Sequence, residues 1–386
     1  MIRRAALALA AGICLVPAAV LPLRAATDAG ALAQAAAADL DAAARALQAA
    51  QGAGDRVAAL TDTLRAYEKG LGALRESLRR AVLRESELTA ELQSREGEIA
   101  QLLAVLQTMG RAPAPTLLLH PDGPTGTARS GMILADVAPA LNARADGLRA
   151  RLQEVRTLRA LQESAVDQLD TGLDGVQRAR TALSQAVSDR TDLPRRFTSD
   201  PEGTALLIAS AETLGSFAEG LSAVAEGEEG VAPDLPEVTD RRGDLPLPVR
   251  GRVLRRAGEA DAAGIIRPGI VLATRPRALV TAPFAATIRY RGPLLDYGNV
   301  MILEPQPGIL LVLAGLDVVY GSAGEVIPEG APVGLMGGED PGPGAILSDL
   351  SVGSGAERTE TLYLELRREN EPTDPEPWFA VTKDTQ

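Results

Sequence analysis

Apolar residues fall into three regimes along the chain. From about Thr27 to Gln107 there is no proline, and apolar residues recur at heptad spacing. One series is Leu64, Leu71, Leu78, Leu92, Ile99 and Leu106, broken by Glu85; its partner is Leu60, Tyr67, Leu74, Ala81, Leu88 and Leu102, broken by Arg95. A pattern of this kind held over about six heptads predicts a coiled coil. A second stretch repeats it, with Leu148, Val155, Leu169, Val176 and Leu183 against Ala145, Leu152, Val166, Leu173 and Val187. The break between them, Gly110-Arg111-Ala112-Pro113-Ala114-Pro115, predicts an antiparallel hairpin over 27–196, its first helix on the order of 120 Å long at ~1.5 Å per residue. The connection of about 25 residues is too long for a tight turn and reads as a tip lobe at about 110–139, with Leu117 to Leu119 and Met132 to Leu134 packed in it.

The second regime opens at Asp200-Pro201-Glu202, a helix-start signal with proline in the first turn. Leu207, Ser210, Leu214, Phe217, Leu221 and Val224 follow at three- and four-residue spacing, so one amphipathic helix is expected over 197–225. A lone helix of that length is marginal in water, and its apolar face must cover something. Residues 226–244, acidic and rich in Gly and Pro, read as a linker. The third regime, 245–386, consists of short β-like runs between Gly and Pro: Leu279 to Thr281, Thr287 to Tyr290, Val300 to Leu303, Ile309 to Leu313 and Leu362 to Leu366. The expected fold class is therefore α plus a separate all-β domain.

Composition narrows the function. Hydrophobic residues make up 46% and aromatics 3%, a mix suited to a long seam of small aliphatic side chains. A net charge of −12 and a pI near 4.8 argue against a nucleic-acid binder, since phosphate neutralisation needs a basic face. One Cys and one His exclude a disulfide framework, a zinc finger and any site needing two His ligands. Arg3 and Arg4 precede an apolar run, Ala5 to Leu23, with the small residue Ala25 behind it, so 1–25 reads as a cleaved signal peptide and the periplasm as the destination. Pro17 and Pro22 make a spanning helix the weaker alternative, and Ile13 before Cys14 departs from a lipoprotein box. Cleavage would leave 36 basic and 51 acidic residues, a net charge of −15, and no Cys. No later segment approaches the ~20 apolar residues that span a bilayer. His120, alone, is structural or part of a docking surface; Leu118, Leu119, His120 and Ile133 are the candidate partner-binding residues of the tip.

Several β-domain motifs carry a family resemblance. Pro248-Val249-Arg250-Gly251, Tyr297-Gly298-Asn299, the glycines Gly324, Gly330 and Gly334, and Leu362-Tyr363-Leu364-Glu365-Leu366-Arg367-Arg368 followed by Pro377-Trp378 resemble a LytM domain, the fold of lysostaphin-like zinc endopeptidases. With the signal peptide and hairpin ahead of it, the whole chain resembles the EnvC-like murein hydrolase activators. Active LytM enzymes hold zinc with a His and an Asp four residues apart and the second His of a His-x-His strand. The resemblance puts Arg267, Val271 and Tyr363 at those positions, with Thr361 and Gly315 where two further His assist catalysis. It thus implies a pseudo-peptidase with no metal, no cofactor and no catalytic residue.

Period-two alternation turns Leu362, Leu364 and Leu366 to the core and Thr361, Tyr363, Glu365 and Arg367 to the former substrate groove. The resemblance implies that this groove contacts a peptidoglycan amidase, with Tyr363 and Arg367 as first candidates and Arg267, Thr361 and Glu365 beside them. A blander alternative has Tyr363 filling the vacated metal pocket and Arg367 pairing with Glu365. The resemblance further implies an autoinhibitory helix, here the face of Leu207, Leu214, Phe217 and Leu221, released when the FtsEX complex acts on the hairpin through FtsX. Direct contact with peptidoglycan stays open. Two other readings compete: an envelope coiled coil that binds peptidoglycan without acting on a hydrolase, and a periplasmic adaptor of an efflux or secretion system, which would carry β segments on both sides of the hairpin.

Overall fold

A computed structural model of the chain describes residues 38–39, 42–111, 123–191, 193–197, 200–226, 235–262, 264–342, 344–346 and 359–380. The expected signal peptide and the residues Leu118, Leu119 and His120 lie outside them. No helix among the described residues is long and apolar enough to cross a membrane.

The heptad stretches form antiparallel helices: α1 (Ala53–Ser94), α2 (Glu96–Arg111) and α3 (Gly123–Ser188). Leu60, Leu64, Leu71 and Leu78 of α1 share one buried seam with Leu169, Leu173, Val176 and Leu183 of α3. Gly172 and Gly175 let the helices close, since a Cβ at Gly175 would stand 2.7 Å from the Tyr67 ring. The two polar breaks in the first heptad series have different outcomes. Glu85 stays helical and accepts from Arg159 Nε (3.1 Å) and Nη2 (3.0 Å) across the hairpin. At Arg95 the helix ends, with φ −106° and ψ 15°.

Two expectations change here. The first helix is not continuous from residue 27: a helical stretch at 42–49 stops before Gly52, which caps α1, and α1 is about 63 Å long at ~1.5 Å per residue. Glycine at positions 52 and 54 disfavours helix continuation. The tip is also smaller than a 110–139 lobe, because α3 is helical from Gly123 through Ile133 and Pro139. Met132 is 76% exposed rather than packed in a lobe core. Pro139 removes one helical hydrogen bond, which the Ala- and Leu-rich neighbourhood outweighs.

Among the described residues the C-terminal part is one ten-stranded antiparallel sheet. Its strands are β1 (Gly251–Arg255), β2 (Ile270–Thr274), β3 (Leu279–Thr281), β4 (Ala286–Pro293), β5 (Asn299–Gln306), β6 (Ile309–Val319), β7 (Val326–Ile327), β8 (Pro332–Met336), β9 (Glu360–Arg368) and β10 (Glu371–Thr373). The main path runs β1-β2-β9-β6-β5-β4-β7, and β8 pairs with both β6 and β3. Leu272, Met301, Leu311, Leu313, Val333, Leu362 and Leu364 point to the main core. The supposed linker is partly structural: Val238 and Leu245 are 1% exposed in that core, and Leu245 N and Gly243 N donate to Trp378 O. Their apolar side chains, set among Gly, Pro and acidic residues, make 235–250 a strap of the β domain.

The hairpin base docks directly on the β domain. Glu68 accepts from Leu279 N at 2.8 Å, Arg65 Nη2 donates to Thr281 Oγ1 at 3.0 Å, and Ser184 Oγ lies 2.9 Å from Tyr320 Oη. Arg180 pairs with Asp340. Leu279, Tyr320 and Leu335 continue the hairpin's apolar seam into the sheet.

Candidate functional site: a groove covered by a helix of the same chain

The face of the sheet opposite the main core is a second apolar layer. Val271 of β2, Tyr363 of β9, Leu310, Val312 and Ala314 of β6, Val300 and Ile302 of β5 and Tyr290 of β4 form it. Period-two alternation along β6 explains the division, with Leu311 and Leu313 facing the opposite way. The register sets Val271 and Ala314 on either side of Tyr363.

A polar line runs down the middle of this groove on β9. Tyr363 Oη donates to Glu365 Oε2 at 2.6 Å and accepts from Gly269 N at 3.1 Å. Arg367 Nη1 donates to Glu365 Oε1 at 2.7 Å, and Nη2 donates to Asn370 O. Tyr363, Glu365 and Arg367 are 6%, 3% and 4% exposed. Burial, then the adjacent Glu365 charge, raises the Tyr363 hydroxyl far above the usual tyrosine range.

Two helices cover the groove. α4 (Pro201–Ser210) starts at Asp200, whose carboxylate accepts from Glu202 N (3.1 Å) and Gly203 N (3.0 Å). α5 (Leu214–Glu226) starts afresh after an extended Ala211. Thr213 Oγ1 accepts from Ser216 N and Ser216 Oγ accepts from Thr213 N, both at 3.1 Å, a reciprocal cap that nucleates the second helix. One continuous helix over 197–225 is therefore replaced by two. Leu207 turns back on α5, where a Cβ at Gly220 would stand 2.7 Å from its Cδ2.

α5 seats Leu214, Phe217, Ala218 and Leu221 on Val271, Tyr290, Val300, Ile302, Val312 and Tyr363. Phe217 is fully buried and meets the Tyr290 ring edge-on. Full burial of a Leu or Phe side chain contributes roughly 1.5–3 kcal/mol, which supplies the partner a short helix needs. Glu219 Oε1 lies 3.5 Å from Arg367 Nη2, but Glu219 is 59% exposed and adds little.

The groove strand is thus not solvent-facing as expected: Tyr363, Glu365 and Arg367 are buried beneath α5, while Thr361 at the strand's start is exposed. Arg267 is half-buried and stacks 5.5 Å from the Tyr297 ring, whose centroid is 6.0 Å from that of Tyr363. Gly315, at φ +94°, backs against Thr361 O, where a Cβ would stand 2.6 Å away. The positions that the resemblance assigns to zinc and its catalytic partners therefore sit together. Their chemistry does not fit the metal. Val271 has no donor atom, Arg267 is cationic, and the Tyr363 hydroxyl is held protonated and engaged on Glu365. Among the described residues, no group of three or more His, Cys, Asp and Glu is placed to hold a metal ion.

Sequence reasoning missed Tyr290, Arg289 and Glu304. The signal was present in the two charges, which directly follow the uncharged runs Thr287-Ile288 and Val300 to Leu303: Arg289 is 5% exposed and Glu304 4%. Buried charges in a sheet call for partners, and neither was assigned one.

No protein-family model matches the chain. Over 139 residues it is 26% identical to the murein hydrolase activator EnvC of Escherichia coli (strain K12), a stretch covering 36% of this chain and 30% of that protein. The chain thus matches under a third of that relative's length. Among solved structures, Csd3 of Helicobacter pylori aligns with 37% of this chain and 36% of its own, at 17% identity and a TM-score of 0.27. An M23 peptidase of Pseudomonas aeruginosa, described as putative in its structure report, aligns with 48% and 65%, at 14% identity and a TM-score of 0.30. Over that stretch of shared sequence the chain is similar to the murein hydrolase activator EnvC.

Proposed function

We propose that the chain is a non-catalytic activator of a periplasmic N-acetylmuramoyl-L-alanine amidase that cuts peptidoglycan during cell division. The reading rests chiefly on α5. Its apolar face occupies the groove of a LytM-like domain whose Tyr363, Glu365 and Arg367 hold one another rather than a metal. In the covered state the groove is shut to a partner. When α5 leaves, an apolar trough with Tyr290, Tyr363 and Arg367 opens, the aromatic and arginine chemistry enriched at interface hot spots. Arg367 Nε is buried with no acceptor among the described residues, a donor that a partner can satisfy. Opening requires covered and open states within a few kcal/mol of each other, and the FtsEX complex, acting through FtsX on the hairpin tip, is the proposed source of the bias. Direct peptidoglycan binding is not needed for this role.

The test is dye release from labelled sacculi with the full chain, a variant lacking residues 200–224, and the amidase. The variant should raise release in the mixture well above that of the intact chain, with no release by either form alone. Equal release with both forms removes the covering role, and release without amidase removes the non-catalytic one.

A further inference from the structure

The segment that leaves the hairpin does not hang free. Beyond α3, Pro194 O accepts from Val326 N at 2.9 Å and Arg196 N donates to Gly324 O at 2.8 Å, so the chain lies along the sheet beside β7. Gly324 permits this: it holds φ +87°, and a Cβ there would stand 2.1 Å from Phe197 O. Arg196 then turns inward, and its Nη1 lies 2.8 Å from Glu304 Oε2 on β5, with the two side chains 13% and 5% exposed. The same carboxylate oxygen is 3.7 Å from Arg289 Nη1 on β4, whose side chain is 3% exposed. Arg289 stacks on Phe197 at 4.4 Å, and its Nη2 donates to Leu221 O of α5 at 3.4 Å.

We propose that Arg196, Glu304 and Arg289 form a latch that couples the position of the hairpin exit to the seating of α5. This rests on the covering role of α5 argued above and adds the device that regulates it. Buried ion groups are a weak source of stability, because an apolar set of similar volume does as well or better. Their consequence is sharpness: pulling Arg196 away leaves Glu304 buried with less compensation, and Arg289, which holds the helix carbonyl, must reorganise with it. A small displacement of the exit segment is thereby converted into loss of a helix-holding contact. All three are positioning residues: Arg289 alone touches α5, and Arg196 and Glu304 act on it through Arg289.

The test is hydrogen exchange on the full chain. Glu304→Gln, Arg196→Met and Gly324→Ala should each speed exchange in 214–226 by about tenfold or more, as a local opening does, while 53–94 and 279–281 keep their protection. Gly308→Ala is the control, because Gly308 also has positive φ (+81°) but nothing within 4 Å of its Cβ position, so it carries the same backbone strain and should leave exchange in 214–226 at the parent rate. The double variant Arg196→Met with Glu304→Leu removes both charges at similar volume and should also uncouple. Unchanged exchange in 214–226 for Glu304→Gln and Arg196→Met, with faster exchange in Phe217→Ala, overturns the latch and leaves the covering helix standing. Faster exchange spread evenly over β4, β5 and β6 overturns it as well, since that marks a purely structural ion group. Unchanged exchange and unchanged amidase activation in Phe217→Ala would remove the covering role itself, and the latch with it.

Discussion

Phe217 of the covering helix meets Tyr290 of the sheet edge to face, with ring centroids 4.7 Å apart and planes at 75°. The contact joins a residue of the segment between hairpin and β domain to a residue on the groove floor, so it reports whether the groove is shut. Truncating Phe217 to Ala should lower the docking stability of α5 by roughly 3–5 kcal/mol, the usual loss for a buried Phe. Protease cleavage within 211–226 should become fast while the β domain stays intact; equal cleavage rates in parent and variant would place the helix's anchorage elsewhere.

The Tyr363–Glu365 bond predicts a pH effect with a definite sign. Burial and the Glu365 charge raise the folded-state pKa of Tyr363 above its unfolded value. Its contribution is therefore complete below the ordinary tyrosine range and is lost as pH climbs past it. Urea midpoints compared at about pH 8 and about pH 11, on either side of the usual value near 10, should fall further for the parent than for Tyr363→Phe. At the lower pH, Tyr363→Phe should itself cost about 1–3 kcal/mol through the partner lost to Glu365.

The donor set at the centre of the groove predicts indifference to metal. Neither zinc nor a chelator should move the thermal midpoint of the protein, because Arg267, Val271 and the protonated Tyr363 offer no ligand shell. A rise in midpoint on adding equimolar zinc would mean that another set of side chains holds it.

Close approach of the hairpin helices rests on Gly175. Its Cβ position lies 2.7 Å from the Tyr67 ring, so Gly175→Leu must push α1 and α3 apart and should cost about 1–3 kcal/mol by overpacking. Thermal unfolding followed by the helical signal at 222 nm checks this; an unshifted midpoint would show that the seam has slack.

Much of this architecture is written in local pattern. Heptad residues such as Leu64, Leu71, Leu169 and Leu183 announce the hairpin because one stripe of each helix is buried. Leu362, Leu364 and Leu366 announce β9 in the same way, since its two faces differ in chemistry. The α5 face was legible for a third reason: Leu214, Phe217 and Leu221 needed a surface, and the groove is that surface. What could not be read involves residues whose meaning depends on distant partners. β2, Ile270 to Thr274, is buried on both faces and shows no alternation. The break at Ala211 depends on the Thr213–Ser216 cap, and the burial of Val238 and Leu245 depends on a core supplied from elsewhere in the chain. Glu68 and Arg65 carry no signal in the heptad pattern, and their bonds to Leu279 and Thr281 exist only because β3 docks on the hairpin.

The central claim is that one surface serves both the covering helix and the amidase, and affinity measures it most directly. The amidase is titrated into the full chain, into Phe217→Asp, and into Phe217→Asp with Arg367→Ala. A carboxylate placed against Tyr290 in the apolar layer should drive α5 off. Phe217→Asp should then bind at least about tenfold more tightly, a shift of ~1.4 kcal/mol in the open population, and Arg367→Ala should remove that gain. Equal affinity for the parent chain and Phe217→Asp, or a gain that survives Arg367→Ala, would contradict the account.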